Sequence, residues 1–190
     1  FQGLDSDQYV GNYADWQRLF DLSSYQLQKL FHPWKEPYHE YSIPVAILKT
    51  SVFGEFDHGH NPYVGLPSYL LFYSNVGMIL LSLAATVYGL VAKQSGQSRM
   101  QRVFLAVFWL AVMGSYVKFC FDFPHYCTMN YRYIAPTFLI GCCFIGILLK
   151  GLKASSKPAA KYLRGGIYGL AGLFCVSSCL FWMAVGLKMW

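Results

Sequence analysis

Four long apolar runs, at residues 69–92, 103–121, 133–149 and 166–187, constrain this chain more than any other feature. A helix needs about 20 predominantly apolar residues to cross a hydrocarbon core, and these four runs are long enough to do so. The fold class expected is therefore all-α: a polytopic membrane bundle of about four transmembrane helices, preceded by an extracytoplasmic segment of short amphipathic helices. With 55% hydrophobic and only 13% charged residues, the composition agrees. The chain divides into an outer segment, 1–66, and a membrane region, 67–190.

Charge fixes which ends face which way. Residues 1–66 hold eight acids and four bases. The connections at 93–102 and 150–164 hold Lys93, Arg99, Arg102, Lys150, Lys153, Lys157, Lys161 and Arg164, and no acid. Short loops rich in lysine and arginine stay in the cytoplasm, which places residues 1–66 and the 120–136 corner outside. Retention of this kind accounts for the net charge of +6 without a nucleic-acid partner, and no base-stacking pattern accompanies the basic clusters. The first 40 residues contain no basic flank followed by an apolar core. An acidic outer segment needs something upstream to deliver it, so the expectation is a chain forming the C-terminal part of a longer protein, with the remaining N-terminal part as its partner.

Within the outer segment, Trp16, Leu19, Phe20, Leu27, Leu30 and Phe31 recur at helical spacing, with Asp15, Arg18, Gln28 and Lys29 between them. This predicts two short amphipathic helices over 5–32, the second restarted by a capping box of Ser23 and Gln26. Prolines 33, 37, 44 and 62 and glycines 54, 59 and 65 then exclude a regular span over 33–66. The apolar stretch 43–53 is too short to cross and is expected to be interfacial or re-entrant. In the spans, Ser74, Asn75, Gly77, Ser82 and Gly89, and later Gly165, Gly166, Gly169, Gly172, Ser177 and Ser178, are small or polar positions that permit close helix contact.

The chemistry concentrates in CFDFPHYCTMNYRYIAP, residues 120–136, a polar and aromatic corner between two apolar runs. Arg132 lies there against the positive-inside trend, flanked by Tyr131 and Tyr133. It either snorkels to ordinary lipid phosphates or binds a particular phosphate, for which the planar guanidinium fork is suited. Lys118 and Asp122, four apart, share a helix face and can pair. His125 beside Asp122 is either a proton acceptor with an acid neighbour or a turn-stabilising pair. Glu55, Asp57, His58 and His60 form either a divalent-ion site or a solvated loop; with no third fixed ligand, no metal is expected. Cys120 and Cys127 flank the corner as a disulfide or as two thiols. No Gly-rich phosphate loop, CxxC or metalloprotease helix occurs, and no cofactor is expected.

TMNYRYIAP resembles the RYxxP segment that opens a late membrane span in bacterial C-type glycosyltransferases, the group that includes relatives of protein mannosyltransferases and of the aminoarabinose transferase of lipid A. AILKTSVFGEFD, at 46–57, is similar to the matching extracytoplasmic stretch, and the two strings come in the family's order. The resemblance implies an enzyme that transfers a hexosyl or pentosyl group from a polyprenyl-phosphate carrier, at the outer face of a bacterial cell membrane, to an extracytoplasmic acceptor. It implies a place near the lipid phosphate for Arg132, Tyr131 and Tyr133; beside that, His125 of the same corner is a further candidate, and Lys49 or Lys118 would assist Arg132 where the fold brings either close. It supplies no catalytic base, because the family's acidic residue belongs to an early outer loop that has no counterpart here. Two alternatives stand beside it: a non-enzymatic membrane protein, such as a transporter subunit or scaffold, and a polymerase or ligase of lipid-linked glycans. A transporter is expected to place ionisable groups at mid-depth; these spans have almost none.

Overall fold

The structure, a computed structural model, describes residues 9–22, 40–54, 64–92 and 97–187. They form six α-helices: α1 (Asp15–Phe20), α2 (Ile43–Phe53), α3 (Gly65–Val91), α4 (Arg99–Asp122), α5 (Pro136–Ala154) and α6 (Pro158–Gly186). Two 3₁₀ turns, Tyr126–Thr128 and Tyr131–Ile134, fill the corner between α4 and α5. Among the described residues there are no strands, only an isolated bridge between Tyr9 and His125. The second amphipathic helix expected over 23–32, with its capping box, and the Glu55, Asp57, His58 and His60 cluster lie outside the described residues.

α3, α4, α5 and α6 are long and apolar enough to cross a membrane, so this is a multi-pass membrane architecture. Their ends follow from local chemistry. Ser98 and Gln101 close a reciprocal capping box on α4, with Ser98 Oγ accepting from the Gln101 N–H at 3.2 Å and Gln101 Oε1 accepting from the Ser98 N–H at 3.1 Å. Proline begins α5 and α6, where its missing N–H has no intrahelical partner to lose. The third span begins later than sequence suggests. Tyr133 belongs to the 3₁₀ turn, which moves it and Arg132 off the spanning helix and onto its rim.

Contacts give the direction of each helix. Gly141 packs on Ser82 and Gly151 on Tyr88, so α3 and α5 run the same way. Ser74 faces Ser177 at 3.4 Å and Gly77 meets Leu170, so α6 runs against α3. The end of α3, the start of α4 and the connection at 155–157 therefore share one face of the bundle. The 120–136 corner lies at the other, about 28 Å away along the 19 residues of α5. These ends are called here the basic side and the cap side.

α2 is the keystone of the cap side. Seven of its eleven residues are buried, on all faces, and Gly54 ends it with φ 68°, a left-handed conformation that suits glycine. On one flank Ile43 and Ala46 pack with Val10, Tyr116, Cys120, Tyr126, Met129 and Ile134. On the other, Val52 and Phe53 pack with Leu71, Phe72, Phe181 and Ala184. One 11-residue helix thus ties the start of α3, the end of α4, the corner and the end of α6. A third cluster, Ala85, Ile140, Phe144, Ile147, Leu148 and Ile167, holds the basic half together.

α1 corrects the amphipathic reading of its sequence. Arg18, assigned to the polar face, is 2% exposed, whereas Trp16 and Phe20 are 64% and 74% exposed. Arg18 Nη2 donates to the Cys120 carbonyl at 2.6 Å and its guanidinium lies 4.7 Å from the Phe121 ring centroid. The carbonyls that end α4 need donors and a positive charge, and that requirement outweighs hydrophobic periodicity in a six-residue helix. Trp16 and Phe20 are left outward, as side chains at a membrane interface are.

Candidate functional site

The corner is built as a frame with its polar face outward. Tyr126, Thr128, Met129, Asn130 and Ile134 are buried beneath it. The Thr128 hydroxyl donates to the carbonyls of Phe123 at 2.8 Å and His125 at 2.7 Å. Asn130 Oδ1 accepts from the Arg132 N–H at 2.9 Å, capping the second 3₁₀ turn. The Tyr131 N–H donates to Thr50 Oγ1 at 2.9 Å, which fastens the turn to α2. The backbone around Arg132 is thereby fixed by partners up to 81 positions away in sequence.

On this frame Arg132 and Tyr133 face out and Tyr131 is half-buried. The Arg132 guanidinium lies 5.1 Å from the Tyr133 ring centroid, and Nη2 donates to the Tyr133 hydroxyl at 3.2 Å. Tyr133 in turn packs on Phe119 with centroids 5.4 Å apart. Stacking an arginine on an aromatic face restricts its rotamers while its charge stays exposed. Burial pushes the Tyr131 phenol above its ordinary value, so it remains a neutral hydroxyl.

The other candidate residues are placed differently. Lys49 is 1% exposed, and its Nζ forms an ion pair with Glu40 Oε2 at 2.7 Å, so it braces α2 from within and does not reach the rim surface. Lys118 pairs with Asp122 at 2.5 Å on the exposed last turn of α4, as the four-residue spacing anticipates, next to Phe119 of the aromatic stack. His125 does not meet Asp122: its ring stands edge-on to Tyr9 at 5.4 Å, and its carbonyl accepts from the Thr128 N–H at 3.1 Å. All six cysteines are thiols, and the Cys120 thiol donates to the Thr128 carbonyl at 3.7 Å. Among the described residues no group of histidine, cysteine, aspartate and glutamate is arranged to hold a metal ion.

Three buried ionic groups escaped sequence reasoning. Arg18 and Arg102 serve helix ends: Arg102 Nη1 donates to the carbonyls of Gly89 and, at 2.6 Å, Ala92, which end α3. Glu40 is the counterion of Lys49. A basic residue in an apolar 11-residue stretch, with an acid nine positions earlier, was the available signal for that pair. Comparison with protein-family models, with curated proteins and with solved structures finds no match for this chain.

Proposed function

We propose that this chain is part of a membrane-embedded glycosyltransferase that moves a sugar from a polyprenyl-phosphate carrier to an acceptor on the non-cytoplasmic side of a bacterial cell membrane. The observation that carries the proposal is Arg132, held out from a braced turn at the rim of α5, on the side opposite the lysine-rich connections. With the basic side in the cytoplasm, residues 1–66 and Arg132 face outward. A polyprenyl carrier lies with its chain in the bilayer and its phosphate at the depth of that rim.

The chemistry follows from charge. As the acceptor hydroxyl attacks the anomeric carbon and its bond to oxygen breaks, the departing phosphate gains negative charge. A guanidinium that donates to two of its oxygens stabilises that state more than the ground state. Tyr133 holds the guanidinium in place, and Tyr131 anchors the same turn through its backbone N–H to Thr50. The base that activates the acceptor is not assigned to a residue of this chain.

The test is transfer by the complete protein in proteoliposomes, with a polyprenyl-phosphate sugar as donor. Arg132→Ala is expected to lower kcat/KM by about 10²–10³-fold, the usual loss when one donor to a developing oxyanion is removed. Arg99→Ala, on the basic side, is expected to stay within about twofold of wild type. Equal effects of the two substitutions overturn the proposal.

A further inference from the structure

A second cationic site lies at the opposite end of the bundle. A cavity of about 460 Å³ opens between the end of α5 and the start of α6, lined by Leu149, Lys150, Lys153, Arg164 and Tyr168. Three of these five lining residues are cations. Lys150 and Lys153 are three apart on α5, and Arg164 and Tyr168 four apart on α6, so each pair shares one helix face, and the two faces meet at the cavity.

Among the described residues no acid lies there to supply a counter-charge. All nine acids of the sequence lie at or before residue 122, and Asp122 is at the cap-side end of α4. Positive-inside retention requires basic residues at this end, but it does not require three of them to converge on one cavity. Like charges brought together without an acid repel one another, and an anion from outside the chain relieves that repulsion. From the mouth of the cavity, Tyr168, Gly172 and Val176 continue along α6 as an exposed row at four-residue spacing. This gives an apolar track directly beneath the cations, toward the middle of the bilayer.

We infer that this cavity binds the phosphate of an anionic membrane lipid, with Lys150, Lys153 and Arg164 around the headgroup and an acyl chain along the Tyr168–Val176 face of α6. Basic pockets between helix ends are suited to such headgroups, each cation contributing to attraction at the membrane surface. The site is independent of the Arg132 rim: it lies at the other face of the membrane and takes a resident lipid, not a sugar donor.

The experiment uses the full chain in neutral detergent at fixed ionic strength, with phosphatidylglycerol, phosphatidylcholine or inorganic phosphate added. Lipid retention is read by native mass spectrometry and stability by thermal unfolding. Wild type is expected to retain phosphatidylglycerol about tenfold or more tightly than phosphatidylcholine and to gain thermal stability from it. The variant Lys150→Gln/Lys153→Gln/Arg164→Gln is expected to lose both effects, while being no less stable than wild type without lipid, because the repulsion is gone. A variant with the same charge change outside the cavity, Arg99→Gln/Lys157→Gln/Lys161→Gln, is expected to keep both. Should the cavity triple fail to fold, Arg164→Gln alone is read the same way and is expected to lose most of the preference. Equal retention of the two lipids, or equal loss in the two triple variants, overturns the inference. An equal thermal gain from inorganic phosphate overturns the lipid assignment in favour of a soluble phosphate.

Discussion

Lys49 and Glu40 form an ion pair in which each side chain is 1% exposed, and the two removals open to experiment differ sharply in cost. Taking away the ammonium alone leaves a carboxylate out of water with its partner gone, which costs about 3–5 kcal/mol. Replacing both by apolar groups removes the charge from each side and is close to neutral. Lys49→Met is therefore expected to lower stability by about 3–5 kcal/mol, and Glu40→Leu/Lys49→Met to recover most of it, as read by denaturant titration of tryptophan fluorescence in detergent. Equal destabilisation of the single and double variants contradicts the pairing. Tyr41 makes a second prediction at this scale. Its hydroxyl donates to Asp21 Oδ2 at 2.5 Å, and chiefly through that bond the phenol is pushed from 10.0 up to about 12. The folded chain keeps a proton that the unfolded chain releases at lower pH, so the stabilisation is complete below pH 10 and is lost as pH rises toward 12. The difference in Tm between wild type and Tyr41→Phe is expected to be constant below pH 10 and to shrink between 10 and 12. A difference that grows over that interval contradicts the assignment.

Among the elements, α3 and α6 behave differently at their glycines although both carry small residues at helical spacing. A Cβ at Gly89 on α3 meets the Phe144 ring at 2.6 Å, inside the cluster that joins α3 to α5, whereas one at Gly172 on α6 meets nothing within 4 Å. Gly89→Ala is expected to cost about 1–3 kcal/mol through overpacking. Gly172→Ala is expected to be neutral or to stabilise by up to about 1 kcal/mol through helix propensity, with thermal unfolding in detergent as the measurement. The reverse order contradicts the packing described. Small residues were legible in the sequence as sites of close approach, but which helix has a neighbour there is a tertiary fact. The contrast extends to the other elements. Length and hydropathy identified the four helices of the described residues that can span a membrane, and the 43–53 stretch was readable as an element too short to cross. What sequence does not contain is that α2 is buried on every side, because its low amphipathicity resembles that of any apolar helix. The 120–136 corner was legible as a polar interruption carrying Arg132. Its bracing through Thr50 was not, since that hydrogen bond joins segments 81 positions apart.

Across the whole molecule, every acid of the described residues belongs to the cap side and the cationic cavity to the basic side, so unbalanced positive charge gathers at one end of the bundle. The direction of α5 separates two cationic groups, Arg132 near its start and Lys150 and Lys153 at its end, by about its full length. Both functional readings depend on that separation being a separation between two aqueous compartments. The direct test is side-specific labelling in a cysteine-free variant, with one cysteine introduced at Phe123 in the corner or at Ser155 between α5 and α6, both exposed. A membrane-impermeant maleimide added to intact cells is expected to label Phe123→Cys at once and Ser155→Cys only after the membrane is opened. Labelling of both from the same side contradicts the topology, and with it the placement of Arg132 at the non-cytoplasmic rim.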